Sequence, residues 1–237
     1  MATESKPLLP SGCPPTNTLL SNLKFFSFIG IYILLATITY TSWVYVHNSA
    51  MSGGGVSFDY NDPKVFNAHP LFMLLTFVFM TLGRTAFVHP LNTTPSRRKT
   101  LKSLHGLTFL IAIALSSVAL WAVWASHDQP HPQGNKYISN LYSLHSWVGI
   151  GMFSLMLGNF LIGSGAFGLQ LVSPEIRAAL MPFHRLLGNV IYYGWGATIL
   201  LGIQEKEGFQ GCDYSSKLTE PEDWAIWSGL VGDWTRK

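Results

Sequence analysis

Eight histidines occur in the 237-residue chain, and four of them form a pattern. His69, His105, His145 and His184 follow one another at intervals of 36, 40 and 39 residues, each at the start of an apolar stretch. An ionisable side chain in such a stretch is costly and is a functional candidate by default. Helices joined by short loops alternate in direction, so the four fall into two pairs. His69 and His145 meet at one end of a bundle, and His105 and His184 at the other. Two imidazoles from facing helices suit a b-type haem, which takes one on each side of its iron. Zinc would ask for three or four ligands, and neither pair has a Cys or carboxylate beside it. A proton relay would also use histidines, though it needs no matched pairs. Any one of these rings is equally at home as an amphipathic group at a membrane interface. Four at regular spacing on successive stretches favour the haem reading.

The elements that must position them are membrane spans. Only 11% of the residues are charged and 48% are hydrophobic, whereas a soluble domain carries about 25% charged residues. The mean hydropathy is +0.26. These values exclude a disordered chain and argue against a water-soluble one. The net charge of +3, without a basic stripe, gives no reason to expect nucleic acid. Cys13 and Cys212 lie near opposite ends and form neither a disulfide framework nor a Cys-x-x-Cys pair. A bilayer core needs roughly 20 apolar helical residues, and five stretches qualify: Phe25 to Val46, His69 to Val88, Leu104 to Ala125, Leu144 to Gly165 and Phe183 to Ile203. The expected fold is therefore all-α, a polytopic membrane helix bundle with five visible spans and a four-helix haem-binding core. Residues 1–24 read as a polar tail with no cleaved signal, 25–207 as the transmembrane domain and 208–237 as a second polar tail.

Basic residues orient the bundle. Lys6, Lys24, Arg97, Arg98, Lys99, Lys102, Arg177 and Arg185 fall on one side, against Lys64 and Lys136 on the other. The N-terminus is accordingly expected in the cytosol, with the C-terminal tail on the far side and the Asn92-Thr93-Thr94 sequon in an unused cytosolic loop. Lys102 lies one turn before His105, and Arg177 seven residues before His184. These cations suit haem propionates or an anionic reductant; setting topology alone accounts for them as well. On the far side His127 closes the third span, with Asp128, His131 and Tyr137 after it. Arg84, about 22 Å along the helix from His69, reads either as snorkelling or as a propionate partner.

His69-Pro70-Leu71, Lys102-x-x-His105-Gly106, Leu141-Tyr142-Ser143-Leu144-His145-Ser146-Trp147, Met181-Pro182-x-His184 and Gly202-Ile203-x-Glu205-Lys206 together resemble the cytochrome b561 family over about residues 25 to 207. The resemblance implies a transmembrane oxidoreductase with two b haems, one held by His69 and His145 and the other by His105 and His184. It implies that electrons come from cytosolic ascorbate and go to monodehydroascorbate or a ferric chelate outside. It places ascorbate at Arg98, Lys99, Lys102 and Arg177, with Arg98 also toward the haem, and the outer substrate at His127. Asn140, Leu141, Tyr142, Ser143 and Glu205 match positions that contact the outer haem. A homodimer in lipid is compatible with this. The chain departs from the family in a longer loop before Tyr137, in His89 where an arginine is usual, in Arg84, and in showing five spans where the family has six. A truncated or spliced product would account for the last.

The rivals are a transporter or scaffold without haem, and a haem-bearing anchor for a separate reductase. Glu4-Ser5-Lys6-Pro7-Leu8-Leu9 reads as an acidic dileucine sorting signal and favours endosomes, lysosomes or secretory vesicles over the cell surface.

Overall fold

The computed structural model describes residues 18–48, 54–87, 94–130 and 139–209. His89, His131, Tyr137, both cysteines, the dileucine motif, the polar tail after 209 and most of the sequon lie outside them. Among the described residues five α-helices follow in order: α1 Thr18–His47, α2 Ala68–Thr85, α3 Pro95–His127, α4 Leu144–Gly163 and α5 Pro174–Phe209. All five are long and apolar enough to cross a membrane. The chain is an integral, multi-pass, all-helical membrane protein, as the composition indicates.

Two compact units divide the chain between Thr37 and Ile38, within α1. In the first, Thr37 returns its hydroxyl to the Ile33 carbonyl (2.9 Å), which satisfies a polar group inside an apolar helix. The second holds the rest of α1 and α2 to α5. Here α2 packs against α3 and α4 against α5, and weaker α2–α5 and α3–α4 contacts close a four-helix ring. One stripe of α3 explains the closest of these contacts. Thr108, Ala112, Ser116, Ala119, Ala122 and Ala125 are all buried, and small side chains let helices approach in a membrane. At the centre Met80, Ala112, Met156, Ile191 and Trp195 meet, so each helix of the ring contributes to one core. Leu107, Trp147, Phe183 and Leu200 are more than half exposed, as an outer face turned to lipid should be.

Helix starts follow local chemistry. Thr94 caps α3 by accepting from Arg97 N (3.4 Å), and Pro95 fills the first turn. Ser143 caps α4 by accepting from Ser146 N (3.2 Å). Pro174 opens α5. These signals correct the expected spans: α3 and α5 each begin nine residues before the apolar stretch does. Hydropathy registers only the membrane core, whereas a proline and a cap start the helix earlier, in its basic turns. Arg97, Arg98, Lys99, Lys102 and Arg177 therefore stand on helices and not in loops. At 33 and 36 residues, α3 and α5 run about 50 Å, well beyond a bilayer core of about 30 Å. A π turn, Ser164–Gly168, ends α4.

Candidate functional site

The four histidines do meet in two pairs. His69 and His145 have ring centres 6.1 Å apart with planes at 89°, and His105 and His184 have centres 6.3 Å apart at 71°. Their places on the helices differ. His69 and His145 are the second residues of α2 and α4, whereas His105 and His184 are the eleventh residues of α3 and α5.

Each ring is held through its Nδ1. His69 bonds the Ala119 carbonyl, His105 the Gly83 carbonyl, His145 the Thr198 carbonyl and His184 the Asn159 Oδ1, all at 3.0 Å. A carbonyl oxygen can only accept, so Nδ1 carries the proton and Nε2 keeps its lone pair. The pattern is reciprocal: α2 and α3 hold each other's histidine, and so do α4 and α5. Every helix of the ring carries its histidine and, fourteen residues on, the acceptor for its neighbour's. That interval is nearly four turns, so both lie near one face, about 21 Å apart along the axis.

Glycines make room for two of the rings. A Cβ at Gly202 would lie 2.8 Å from His145 Cε1, and one at Gly163 3.0 Å from His184 Cε1. At Gly83 a Cβ would strike the Thr108 hydroxyl and the Phe109 ring; the close approach keeps its carbonyl on His105.

At the His105–His184 end, the basic end, a cavity of about 620 Å³ opens between α3 and the end of α4. Arg98, Lys99 and Lys102 line it together with the apolar Leu107, Leu110 and Phe160. Gln170, also in its wall, holds a left-handed φ of 56°, a conformation that side chains tolerate poorly and that clusters at functional sites. Arg177 is not among the lining residues; its Nη1 donates to the Val172 carbonyl (2.9 Å) and ties down the turn before α5.

The opposite end is a hydrogen-bonded cluster. Tyr142 donates to Glu205 Oε1 (2.5 Å) and Ser143 to Glu205 Oε2 (3.2 Å). His127 Nδ1 lies 2.8 Å from Asn140 Oδ1. Leu141, between Asn140 and Tyr142, has φ 56°. Burial, and then the carboxylate it bonds, hold the Tyr142 phenol well above its usual range. Tyr60 donates to Asp128, and this bond, followed by burial, raises its phenol in the same direction. Asn140, Leu141, Tyr142, Ser143, Glu205 and His127 thus gather at one end of the ring.

Sequence reading overlooked two features and left the place of Arg84 open. Asn159 is the one amide side chain within α4, which is a visible signal. Lys206 has a buried Nζ without a hydrogen-bond partner, above Phe66 (5.0 Å), which packs on His69 (6.1 Å). Arg84 does not reach for the nearest surface: it lies over the rings of Tyr192 (4.4 Å) and Tyr193 (5.0 Å).

These residues fit a haem. Each pair would offer one free Nε2 from either side, with ring centres 6.1 and 6.3 Å apart, as a group held between two imidazoles needs. Among the described residues no cluster of three or more His, Cys, Asp or Glu could hold a metal otherwise. The cavity reaches α3 at Gly106, next to His105, and joins apolar walls to cations, although neither histidine lines it.

Residues 68–210 match the pattern of eukaryotic cytochrome b561. The transmembrane ascorbate-dependent reductase CYB561 of Sus scrofa is 36% identical over 70% of this chain and 63% of its own length. Its counterpart in Bos taurus is 32% identical over 84% of this chain and 72% of its own length. Transmembrane ascorbate ferrireductase 1 of Arabidopsis thaliana is 32% identical over 66% of this chain and 62% of its own length. The chain thus spans a little under two thirds of the Sus scrofa and Arabidopsis proteins. Matched pattern, relatives and paired histidines agree, and this chain belongs to the haem b-binding eukaryotic cytochrome b561 family.

Proposed function

We propose that the chain carries electrons across a membrane from ascorbate, through two b-type haems, to monodehydroascorbate or a ferric chelate. The observation that carries this reading is the double pairing, with every Nδ1 occupied and every Nε2 free to bind a metal. His105 and His184 would hold one haem at the basic end, and His69 and His145 the other. Held by these histidine pairs, the haems would supply one-electron carriers.

The chain's own residues do the rest. The Nδ1 bonds fix tautomer and ring direction, as anchors of metal-bound histidines do. Arg98, Lys99 and Lys102 bind and orient an anion, and ascorbate is one near neutral pH. Leu107, Leu110 and Phe160 give that cavity its apolar wall. Arg177 supports the basic end by fixing the turn before α5. Across the membrane, His127 and the Asn140–Ser143 and Glu205 cluster form the acceptor's side. The names of the relatives, ascorbate-dependent reductase and ascorbate ferrireductase, support donor and acceptor class. The basic end is read as cytosolic from the asymmetry of positive charge, and residues 4–9 favour an endosomal, lysosomal or secretory-vesicle membrane.

The test is the absorption spectrum of the purified chain. Two low-spin haems per chain that bleach with ascorbate are expected, and a colourless protein refutes the reading.

A further inference from the structure

We propose that Arg84 is a fixed positive charge that makes the His105–His184 site easier to reduce than the histidines alone would. The inference rests on the haem reading above. Arg84 directly follows Gly83, whose carbonyl holds the His105 ring at 3.0 Å. It is the penultimate residue of α2, from which a long cation would ordinarily stretch to the nearby interface. Its side chain leans back toward the helix N-terminus instead, as helical side chains do. There the guanidinium is clamped by the Tyr192 ring at 4.4 Å and the Tyr193 ring at 5.0 Å, and Nη2 donates to Tyr193 Oη (3.3 Å). Tyr192 is itself fixed, its hydroxyl 3.1 Å from Thr81 Oγ1 and its ring stacked on Phe77 at 5.0 Å.

The clamp leaves Arg84 Nη1 buried without a hydrogen-bond partner, and among the described residues no carboxylate contacts Arg84. A cation kept inside a membrane without a counter-charge is expensive. An electron arriving at the site beside it supplies negative charge, and in a low dielectric the attraction is felt over many ångströms. The arginine therefore stabilises the reduced state more than the oxidised one. Surface cations such as Lys102 are screened by water and salt, so the clamp gives Arg84 an influence they lack.

The test is an optical redox titration of the haem-loaded full chain, compared with Arg84→Gln and Arg84→Lys. Arg84→Gln keeps a donor for Tyr193 and removes the charge. One of two titrating components should fall by about tenfold in reduced-to-oxidised ratio at fixed potential, which is 59 mV for one electron, with the other unmoved. Arg84→Lys should stay within about threefold of wild type. Identical titrations of Arg84→Gln and wild type overturn the proposal. If Arg84→Gln yields no folded protein, Tyr193→Phe decides: releasing Nη2 should move the same component by about threefold, and no movement overturns the idea. A wild-type chain without haem would instead overturn the electron-transfer reading, so the two failures are distinguishable.

Discussion

The two ends of the four-helix ring hold their histidines alike and surround them differently. At the basic end the rings stand eleven residues into α3 and α5, and three cations of the helix extension line a cavity. At the other end the rings stand at the second residue of α2 and α4, beneath Tyr142–Glu205–Ser143 and His127–Asn140. The ligand geometry is thus common to both ends, and the helix overhang differs. An overhang of long basic side chains suits a charged reductant. Interlocked hydrogen bonds fix positions and suit selective contact with an acceptor.

The largest expected effect comes from breaking one end alone. His105→Ala should lower haem content from two per chain to one and leave the His69–His145 haem with its low-spin spectrum. Haem assay against protein concentration measures this. Loss of both haems would show that the ends do not load independently.

Next comes the anchor. Asn159 gives His184 the one acceptor of the four that is a side chain, so it alone can be removed by substitution. Losing such a partner typically weakens metal binding about 10–100-fold. Asn159→Leu should therefore release the basic-end haem to an apo-haem acceptor 10–100 times faster. Equal release in the variant and wild type would mean that packing alone sets the ring.

How much of this was legible in the sequence follows from the same residues. The four histidines and the five apolar helices could be read, because each depends on residue type and interval; Asn140–Ser143 and Glu205 came only from the family resemblance. The acceptors could not: Gly83, Ala119 and Thr198 act through backbone carbonyls, which every residue has. The fourteen-residue interval becomes visible only once the partners are known. Arg177 counts as a cation in the sequence, and its bond to the Val172 carbonyl is not visible there. The early starts of α3 and α5 were written in Thr94-Pro95 and Ser173-Pro174, where turn chemistry outranks hydropathy.

A third effect tests the overhang. Hydrogen bonds to charged groups contribute about 1.5–3 kcal/mol, and part of this is screened at a water-filled mouth. Lys102→Ala should slow reduction by ascorbate about tenfold with the haem spectrum unchanged. Arg177→Ala should slow it less and lower thermal stability more, because its guanidinium fixes a turn. Stopped-flow rates with melting curves separate the two, and equal rate losses would erase the distinction between lining and supporting cations.

The smallest effect lies at the polar end, where Asp62 caps the 3₁₀ turn Pro63–Asn67 that leads into α2. Its carboxylate accepts from Lys64 N (2.9 Å), and that bond holds its pKa below the usual value. A depressed folded pKa contributes stability that is present above the unfolded carboxylate's pKa of about 3.9. The contribution is lost as pH falls through the lower, folded value. Melting temperature should therefore fall on acidification through this window, and less steeply in Asp62→Asn, which keeps an acceptor that cannot be protonated there. The carboxylate is fully exposed, so water limits the difference to a small one. Parallel acid profiles would assign the turn to Pro63 and buried Val65 instead. A clear difference would show that His69, two residues beyond the turn, is placed in part by a charge at the membrane's edge.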